Sequence, residues 1–131
     1  MNEAQTIALL NASVNLGLVG AADPFSPFDA EGANYIVEIK NRREYYPEKM
    51  IEAYKLFANY QQAQIKGKQF LYVVTDSKGV WVYNLSKSVD SVLERSCVPM
   101  SCPMTTDFDR NGKITKYVYT LPENLSKKLN E

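Results

Sequence analysis

The sequence predicts an α/β protein in which helices flank a mixed central β-sheet. Segments whose apolar residues recur at helical spacing alternate with segments rich in β-branched and aromatic residues. Two strand-like segments are separated only by the sequence Asp-Ser-Lys-Gly at residues 76–79, a composition typical of a hairpin turn. The predicted order of elements is α-β-β-α-β-β-α-β-α, which fits an α/β sandwich around one sheet.

The N-terminal quarter of the chain is predicted to hold one helix and one loop. In residues 2–16 the apolar side chains fall near one helical face, and Gly17 follows as a stop signal. Residues 21–34 contain two prolines and a glycine, so we expect a loop there, with a short strand near Phe28.

The middle of the chain is predicted to hold three strands and a second helix. Residues 35–40 are rich in β-branched residues and predict a strand. Pro47 is expected to begin the second helix, because a proline at the first helical position gives up no hydrogen bond. Gly67 ends it, and residues 69–75 and 80–85 predict the two hairpin strands. The apolar stripe expected along this helix consists of Met50, Ile51, Tyr54, Phe57 and Ala58.

The last third of the chain is predicted to be less regular. Residues 86–95 predict a short helix, and residues 96–108, which contain two prolines, predict an irregular segment. The Asn-Gly pair at 111–112 is a turn signal, and residues 114–121 predict another strand. Pro122 is expected to begin a short C-terminal helix.

Length and composition limit the class of protein. At 131 residues we expect a single domain over residues 1–131. The apolar N-terminal segment lacks a basic start and is interrupted by polar residues, so we expect neither a secretory signal nor a membrane span. These features predict a cytoplasmic protein without a membrane partner.

The absence of histidine narrows the possible chemistry further. The sequence contains no His at all, which excludes Ser-His-Asp and Cys-His nucleophiles and histidine metal sites. Cys97 and Cys102 alone cannot complete a structural zinc site. The zero net charge gives no global attraction to nucleic acid, although it leaves room for a local basic patch. Any enzyme here must use carboxylates, Lys, Tyr or a cation bound through oxygen.

Three charged residues suggest such a site. Glu38 and Lys40 share one face of the predicted strand, because side chains alternate with a period of two. Asp29 lies upstream across a turn-like segment, so it can fold back beside Glu38 on a neighbouring strand. Two adjacent carboxylates repel each other unless a proton or a cation lies between them. Mg²⁺ suits that position, because it prefers oxygen ligands and keeps several waters.

The sequences Ser-Pro-Phe-Asp at 26–29 and Glu-Ile-Lys at 38–40 resemble the paired motifs of the PD-(D/E)XK nuclease superfamily. Phe28 separates the proline from the aspartate, which departs from a literal Pro-Asp dipeptide. The resemblance covers residues 2–85 and includes the order of elements. It implies a restriction-endonuclease-like αβββαβ core, and the small size and first helix are similar to Holliday junction resolvases.

The resemblance also implies roles for individual residues. Asp29, Glu38, Lys40 and Glu3 are the candidate catalytic residues. Asp29, Glu38 and the backbone carbonyl of Ile39 are the candidate ligands of Mg²⁺, for which Mn²⁺ can substitute. Glu3 has an equally good alternative explanation, since an acidic residue stabilises the N-terminus of a helix through the helix dipole.

Basic residues after the Glu-Ile-Lys strand are candidates for binding DNA: Arg42, Arg43, Lys49 and Lys55. The alternative for these residues is a solvated face with ion pairs along a helix. Because small nucleases of this kind have one active site per domain and two strands to cut, the resemblance also implies a homodimer.

Three functions remain open on the sequence alone. The first is a metal-dependent endonuclease that hydrolyses phosphodiester bonds of DNA, with junctions or branched DNA as one class of substrate. The second is a nucleic-acid-binding or assembly module that keeps the nuclease-like fold without catalysis. The third is an interaction domain in which Glu38 and Lys40 pair at a solvated edge.

Overall fold

The chain forms three helices and nine strands in the computed structural model, which describes residues 1–103 and 113–129. In chain order the elements are α1 (Glu3–Val14), β1 (Val19–Gly20), β2 (Ala30–Glu31), β3 (Tyr35–Asn41), β4 (Glu48–Glu52), α2 (Ala53–Lys66), β5 (Gln69–Asp76), β6 (Gly79–Asn84), α3 (Leu85–Leu93), β7 (Val98–Pro103), β8 (Lys113–Pro122) and β9 (Ser126–Leu129). One 3₁₀ turn, Glu123–Leu125, connects β8 to β9.

The main sheet has the spatial strand order β1-β2-β3-β5-β6-β9. Strands β3 and β5 run parallel in its centre, while the other neighbouring strands are antiparallel. Parallel neighbours need a crossover connection, and here β4 and α2 supply it. The sheet is therefore mixed and flanked by helices, which confirms the predicted fold class.

Apolar side chains cover both faces of the main sheet. One face packs with α1, where Leu10 and Val37 are fully buried. The other face packs with α2 and the smaller sheet, where Ile36 and Leu56 are fully buried. Strand β3 is thus covered on both sides, so a charged side chain such as Glu38 within it needs a partner.

A second sheet of three strands, in the order β4-β8-β7, replaces the beginning of the predicted second helix. The expectation that Pro47 begins a helix is wrong, because residues Glu48–Glu52 form β4 and α2 begins at Ala53. Lys49 and Ile51 both point inward in β4 and lie opposite residues of β8. Their spacing of two residues suits a strand, and a proline is tolerated just before a strand begins.

The apolar stripe expected on the second helix does not face the core. Tyr54 is 76% exposed and Phe57 is 49% exposed, whereas Leu56, Asn59 and Ala63 are the buried residues of α2. The sheet therefore contacts the opposite side of the helix from the one that the sequence suggested. This leaves aromatic side chains on the surface of α2.

Two expectations for the last third of the chain are also wrong. Residues Val98–Pro103 form β7 rather than an irregular segment, at an edge of the smaller sheet where prolines are tolerated. The helix expected after Pro122 is limited to the 3₁₀ turn Glu123–Leu125, and Ser126–Leu129 then pairs with β6 and buries Leu129. A segment this short is a marginal helix by itself, so pairing with an open sheet edge prevails.

The turn predicted at residues 111–112 lies outside the described residues. Within the ranges that the structure describes, no helix is both long and apolar enough to cross a membrane.

Candidate active site

Strand β3 carries two charged side chains on its face toward α2. Glu38 and Lys40 share the side of Ile36, which belongs to the core cluster that contains Leu56 of α2. Glu38 is 6% exposed, so its carboxyl group lies almost entirely away from water. Lys40 is half-buried at the end of the same face.

Asp29 reaches the same place from the neighbouring strand. Because Ala30 pairs with Val37 in the antiparallel ladder, Asp29 lies opposite Glu38. The Asp29 N–H donates to the Val37 carbonyl over 2.8 Å, and the Ile39 N–H donates to Asp29 Oδ2 over 2.7 Å. The Asp29 side chain, oriented by this contact, lies next to Glu38 in one cavity. The structure thus joins the two carboxyl groups that the sequence predicted to be neighbours, hereafter the acid pair.

The acid pair holds a proton more tightly than an ordinary carboxyl group does. Burial raises the pKa of Glu38 to about 8, and the hydrogen bond and negative charge of Asp29 act in the same direction. The ammonium group of Lys55 opposes this change without cancelling it. At neutral pH the pair therefore retains a proton unless a cation takes its place.

Lys55 approaches the acid pair from α2. Its Nζ lies 2.9 Å from Glu38 Oε2, and its side chain is 44% exposed while that of Glu38 is 8% exposed. Burial lowers the pKa of Lys55, but the hydrogen bond and charge of Glu38 outweigh burial and the net change is upward. Lys55 is thus a charged neighbour of the acid pair, a contact that spans 17 positions of sequence and that no local signal predicts.

Lys40 differs from Lys55 in its surroundings. Burial lowers the pKa of Lys40, and the positive charge of Arg42 adds to this effect. A lysine with a lowered pKa is more readily neutral, which is the form that accepts a proton from water. Lys40 is therefore the lysine of the site that is better suited to proton transfer.

Glu3 is held near Asp29 by the beginning of α1. Glu3 lines the same cavity as Asp29. Burial raises the pKa of Glu3, and the negative charge of Asp29 adds to this effect. Asn2 caps the helix in a reciprocal pair of hydrogen bonds with Gln5, each of 2.8 Å. These contacts place a third acidic residue at the edge of the site.

A polar contact ties the beginning of α1 to the main sheet. The buried Thr6 Oγ1 donates to the Asn2 carbonyl over 2.9 Å and lies 3.2 Å from Asn41 Oδ1 at the end of β3. Thr75 Oγ1 of β5 donates to the same Asn41 oxygen. The sequence analysis missed this connection, because each of its residues is unremarkable in its own segment.

A cavity of about 750 Å³ opens over the acid pair. Its acidic lining residues are Glu3, Asp29, Glu38, Glu44 and Glu52. Its basic lining residues are Lys40, Arg42, Arg43, Lys55 and Lys116. Lys116 comes from β8, where its Nζ lies 2.8 Å from Glu52 Oε1, and the sequence analysis did not identify it. Cations from two strands, a loop and a helix thus surround the buried Glu38 and the half-buried Asp29.

Lys49 does not line this cavity, and its burial argues against the predicted contact with DNA, which stays a prediction. Its side chain is 1% exposed, and its Nζ lies 2.9 Å from Glu123 Oε2 and 3.3 Å from Asp76 Oδ2. The same ammonium group lies 4.2 Å from the ring centroid of Tyr45 and 4.0 Å from that of Trp81. Lys49, Asp76, Glu123 and these two rings form the Lys49 cluster, in which the lysine is enclosed.

The donor set of the site fits a hard divalent cation. Asp29 and Glu38 offer carboxylate oxygens, and the Ile39 N–H points toward Asp29, so the Ile39 carbonyl faces the same side of β3. In the described part of the chain, no group of three or more His, Cys, Asp or Glu side chains is arranged to hold a metal ion. Mg²⁺ needs no such group, because it is commonly held by one or two carboxylates and several waters.

Comparison with solved structures finds Hjc of Archaeoglobus fulgidus, a Holliday junction resolvase from an archaeal hyperthermophile, at a TM-score of 0.53 and 14% sequence identity. The match covers 95% of this chain and 94% of that chain. The two proteins therefore share a fold over nearly their whole length. No protein-family model matches the chain, and no curated protein matches it.

Proposed function

We propose that this chain is a Mg²⁺-dependent endonuclease that hydrolyses phosphodiester bonds of DNA, as a member of the PD-(D/E)XK superfamily. The observation that carries this proposal is the acid pair, in which Asp29 and Glu38 from neighbouring strands meet in a cavity lined with lysines and arginines. Burying Glu38 beside a second carboxyl group is costly, so the arrangement is expected where a site must bind a cation. We take residues 1–131 to be one cytoplasmic domain, as the sequence predicts.

The acid pair and its neighbours divide the chemistry between them. Asp29, Glu38 and the Ile39 carbonyl would hold Mg²⁺. The ion, when bound, would lower the pKa of the attacking water and stabilise the charge that develops on the phosphate. Lys40 orients the attacking water and accepts its proton, a role that its lowered pKa supports. Glu3 handles a proton at the edge of the site, next to Asp29.

Basic residues of the cavity bind the phosphate backbone of the DNA. Arg42 and Arg43 line the cavity beyond the end of β3, and Arg43 is exposed. Lys116 lines it from β8. These contacts are independent of base sequence, so binding is expected to weaken steeply as the salt concentration rises.

Branched DNA is the proposed substrate class, and a second copy of the chain is the proposed partner. The shared fold with a Holliday junction resolvase supports the first point. The second follows because a junction has two strands to cut and each copy offers one acid pair. Exposed aromatic residues provide a surface for association: Tyr54 and Phe57 on α2 and Tyr117 on β8 are 76%, 49% and 60% exposed.

A cleavage assay on linear, flapped and four-way-junction DNA tests the proposal, with Mg²⁺, Mn²⁺ or EDTA in the buffer. We expect cleavage of the branched substrates with either ion and none with EDTA. Glu38→Ala is the matched control, and it should lose at least about 10³-fold in single-turnover rate. Equal cleavage by the wild type and by Glu38→Ala would mean that the activity does not come from this site.

The alternative is a module that binds DNA without cutting it. The equal numbers of acidic and basic residues in the cavity favour it, because five of each leave little net attraction for a polyanion. In that case the junction would bind in a salt-dependent manner, and none of the three substrates would be cut with either ion.

A further inference from the structure

Lys55 contacts the carboxyl group on which the proposed metal site depends. Its ammonium nitrogen lies 2.9 Å from Glu38 Oε2, and Glu38 in turn lies opposite Asp29 on the neighbouring strand. The positive charge that faces the acid pair in this structure is therefore the protein's own lysine. An ammonium group and a divalent cation compete for such a position, because both are attracted by the same carboxylate oxygens.

The position of Lys55 in α2 is unfavourable for the helix itself. The helix begins at Ala53, so Lys55 lies in the first turn, where the helix dipole favours acidic residues and disfavours basic ones. The first turn of α2 contains no acidic residue, and Glu52 at the N-cap makes no side-chain capping bond. Helix stability therefore does not explain a lysine here, whereas its ion pair with Glu38 does.

The exposure of Lys55 allows its ammonium group to leave. Its side chain is 44% exposed, while the Glu38 side chain is 8% exposed and belongs to a central strand. The backbone of Lys55 is held, because its carbonyl accepts a hydrogen bond of 2.9 Å from Asn59 Nδ2. A change of side-chain rotamer is thus enough to move the charge into the cavity while the helix stays in place.

We propose that Lys55 is the resident counter-ion of the acid pair and that a divalent cation binds there by displacing its ammonium group. This inference rests on the proposed function, since it concerns the same Asp29–Glu38 site. Lys55 offsets part of the negative charge of the acid pair in the absence of metal, and its contact with Glu38 lowers the apparent affinity of the site for the ion. The affinity of the site for Mg²⁺ or Mn²⁺ is thereby set by a side chain that does not bind the ion.

Calorimetric titration with Mn²⁺ tests this competition directly in the full chain without DNA. We expect Lys55→Gln to bind Mn²⁺ about three- to tenfold more tightly than the wild type, because the competing cation has been removed. Lys116→Gln is the matched control, since it removes the same charge from the same cavity but from a lysine that pairs with Glu52. That variant should change Mn²⁺ affinity by less than about twofold, through the general field alone.

Thermal unfolding without metal supplies a second measurement. The Lys55→Gln variant should melt at a lower temperature than the wild type. In a protein that already carries Glu38→Gln, the same substitution should change the melting temperature very little, because the neutral amide needs no counter-ion. Additive effects of the two substitutions would overturn the inference, as would a Lys55→Gln variant that binds Mn²⁺ no more tightly than Lys116→Gln.

The two proposals fail in different ways. If the wild type binds Mn²⁺ and Glu38→Ala does not, but Lys55→Gln shows no gain, the metal site stands and the role of Lys55 is overturned. If neither the wild type nor Lys55→Gln binds Mn²⁺ at millimolar concentration, the metal-dependent function and the role of Lys55 are overturned together.

Discussion

The Lys49 cluster and the acid pair each contain a buried charged residue, Lys49 and Glu38, but the pKa values of their carboxyl groups change in opposite directions. In the Lys49 cluster, one ammonium group lies between the carboxylates of Asp76 and Glu123. The hydrogen bond from Lys49 lowers the pKa of Glu123, although desolvation opposes it. Each charge there meets an opposite charge, so the cluster is complete without any external group.

In the acid pair the two carboxyl groups are instead direct neighbours on adjacent strands. Burial raises the pKa of Glu38, and Asp29 adds a like charge next to it, while Lys55 compensates only in part. The difference teaches that burial by itself does not mark a functional site, since each cluster contains a buried charged group. What separates them is the repulsion between the adjacent carboxyl groups of Asp29 and Glu38, which a bound cation can relieve.

The largest effect is expected when the proposed proton acceptor next to the acid pair is removed. Lys40→Ala should reduce cleavage by about 10²–10⁴-fold, since general acid–base groups contribute on this scale. Single-turnover cleavage of a four-way junction measures this rate, and a gel-shift titration at fixed salt should show nearly unchanged binding. Unchanged turnover in Lys40→Ala would assign the proton transfer to another group.

Breaking the Lys49 cluster should damage stability rather than chemistry. Lys49→Met keeps a similar length but leaves Asp76, whose side chain is 1% exposed, without its partner. Removing one member of a buried ion pair costs about 3 kcal/mol or more. Urea unfolding measures this loss, and Arg43→Gln, which removes an exposed charge, is the control with little expected change. If Lys49→Met lowers the free energy of unfolding by less than about 0.5 kcal/mol, the ion pair is as weak as an exposed one on a protein surface.

Removing the charge of Glu38 should increase stability, whereas Lys49→Met should decrease it. Because the pKa of Glu38 is raised to about 8 from its ordinary value of 4.5, the folded state binds more protons than the unfolded state between these values. The free energy of unfolding should therefore fall as the pH rises from about 4.5 to 8 without metal. Glu38→Gln should be more stable than the wild type at pH 8 by about 1–2 kcal/mol, since an amide has no charge to bury.

Thermal melts at several pH values in EDTA check this prediction. At high pH, Mn²⁺ should raise the melting temperature of the wild type toward that of Glu38→Gln, because the ion then neutralises Glu38 in place of the lost proton. A wild type whose stability rises over the same pH range would contradict the raised pKa of Glu38.

The smallest effect on stability is expected at Glu3, and it distinguishes the two explanations of that residue. If Glu3 handles a proton, Glu3→Gln should lower the cleavage rate at unchanged stability. If it serves only the helix dipole, the variant should keep its rate and lose a few tenths of a kcal/mol to about 1 kcal/mol. Parallel measurements of rate and melting temperature on one preparation decide between them, with Gln5→Ala as a control for helix capping alone.

Much of the fold and the centre of the site were predictable because they depend on local alternation. The β-branched run that forms β3 and the hairpin of β5 and β6 were identified within a residue or two. The shared face of Glu38 and Lys40 follows from the period of a strand, and a short turn returns Asp29 to its neighbour. The catalytic and metal-binding roles of these residues stay predictions.

The elements that sequence reasoning misjudged depend on where the chain finds its partners. Residues Glu48–Glu52 have apolar spacing compatible with a helix or a strand, and pairing with β8 decides for the strand. Ser126–Leu129 forms an edge strand because it pairs with backbone N–H and C=O groups of β6. Neither pairing has a local signal, since the paired residues are far apart in sequence.

The sequence by itself determined which residues alternate, turn and stop, because these properties act over a few neighbouring positions. It thereby determined a mixed α/β fold and the proximity of Asp29, Glu38 and Lys40. Only the tertiary structure decided the ionic partners of Lys49 and Lys55. Lys49 is enclosed between Asp76 and Glu123, and Lys55 pairs with Glu38. The two lysines have different ionic partners because a charged side chain interacts most strongly with the opposite charge that lies nearest in space. Tertiary packing determines which residue that is.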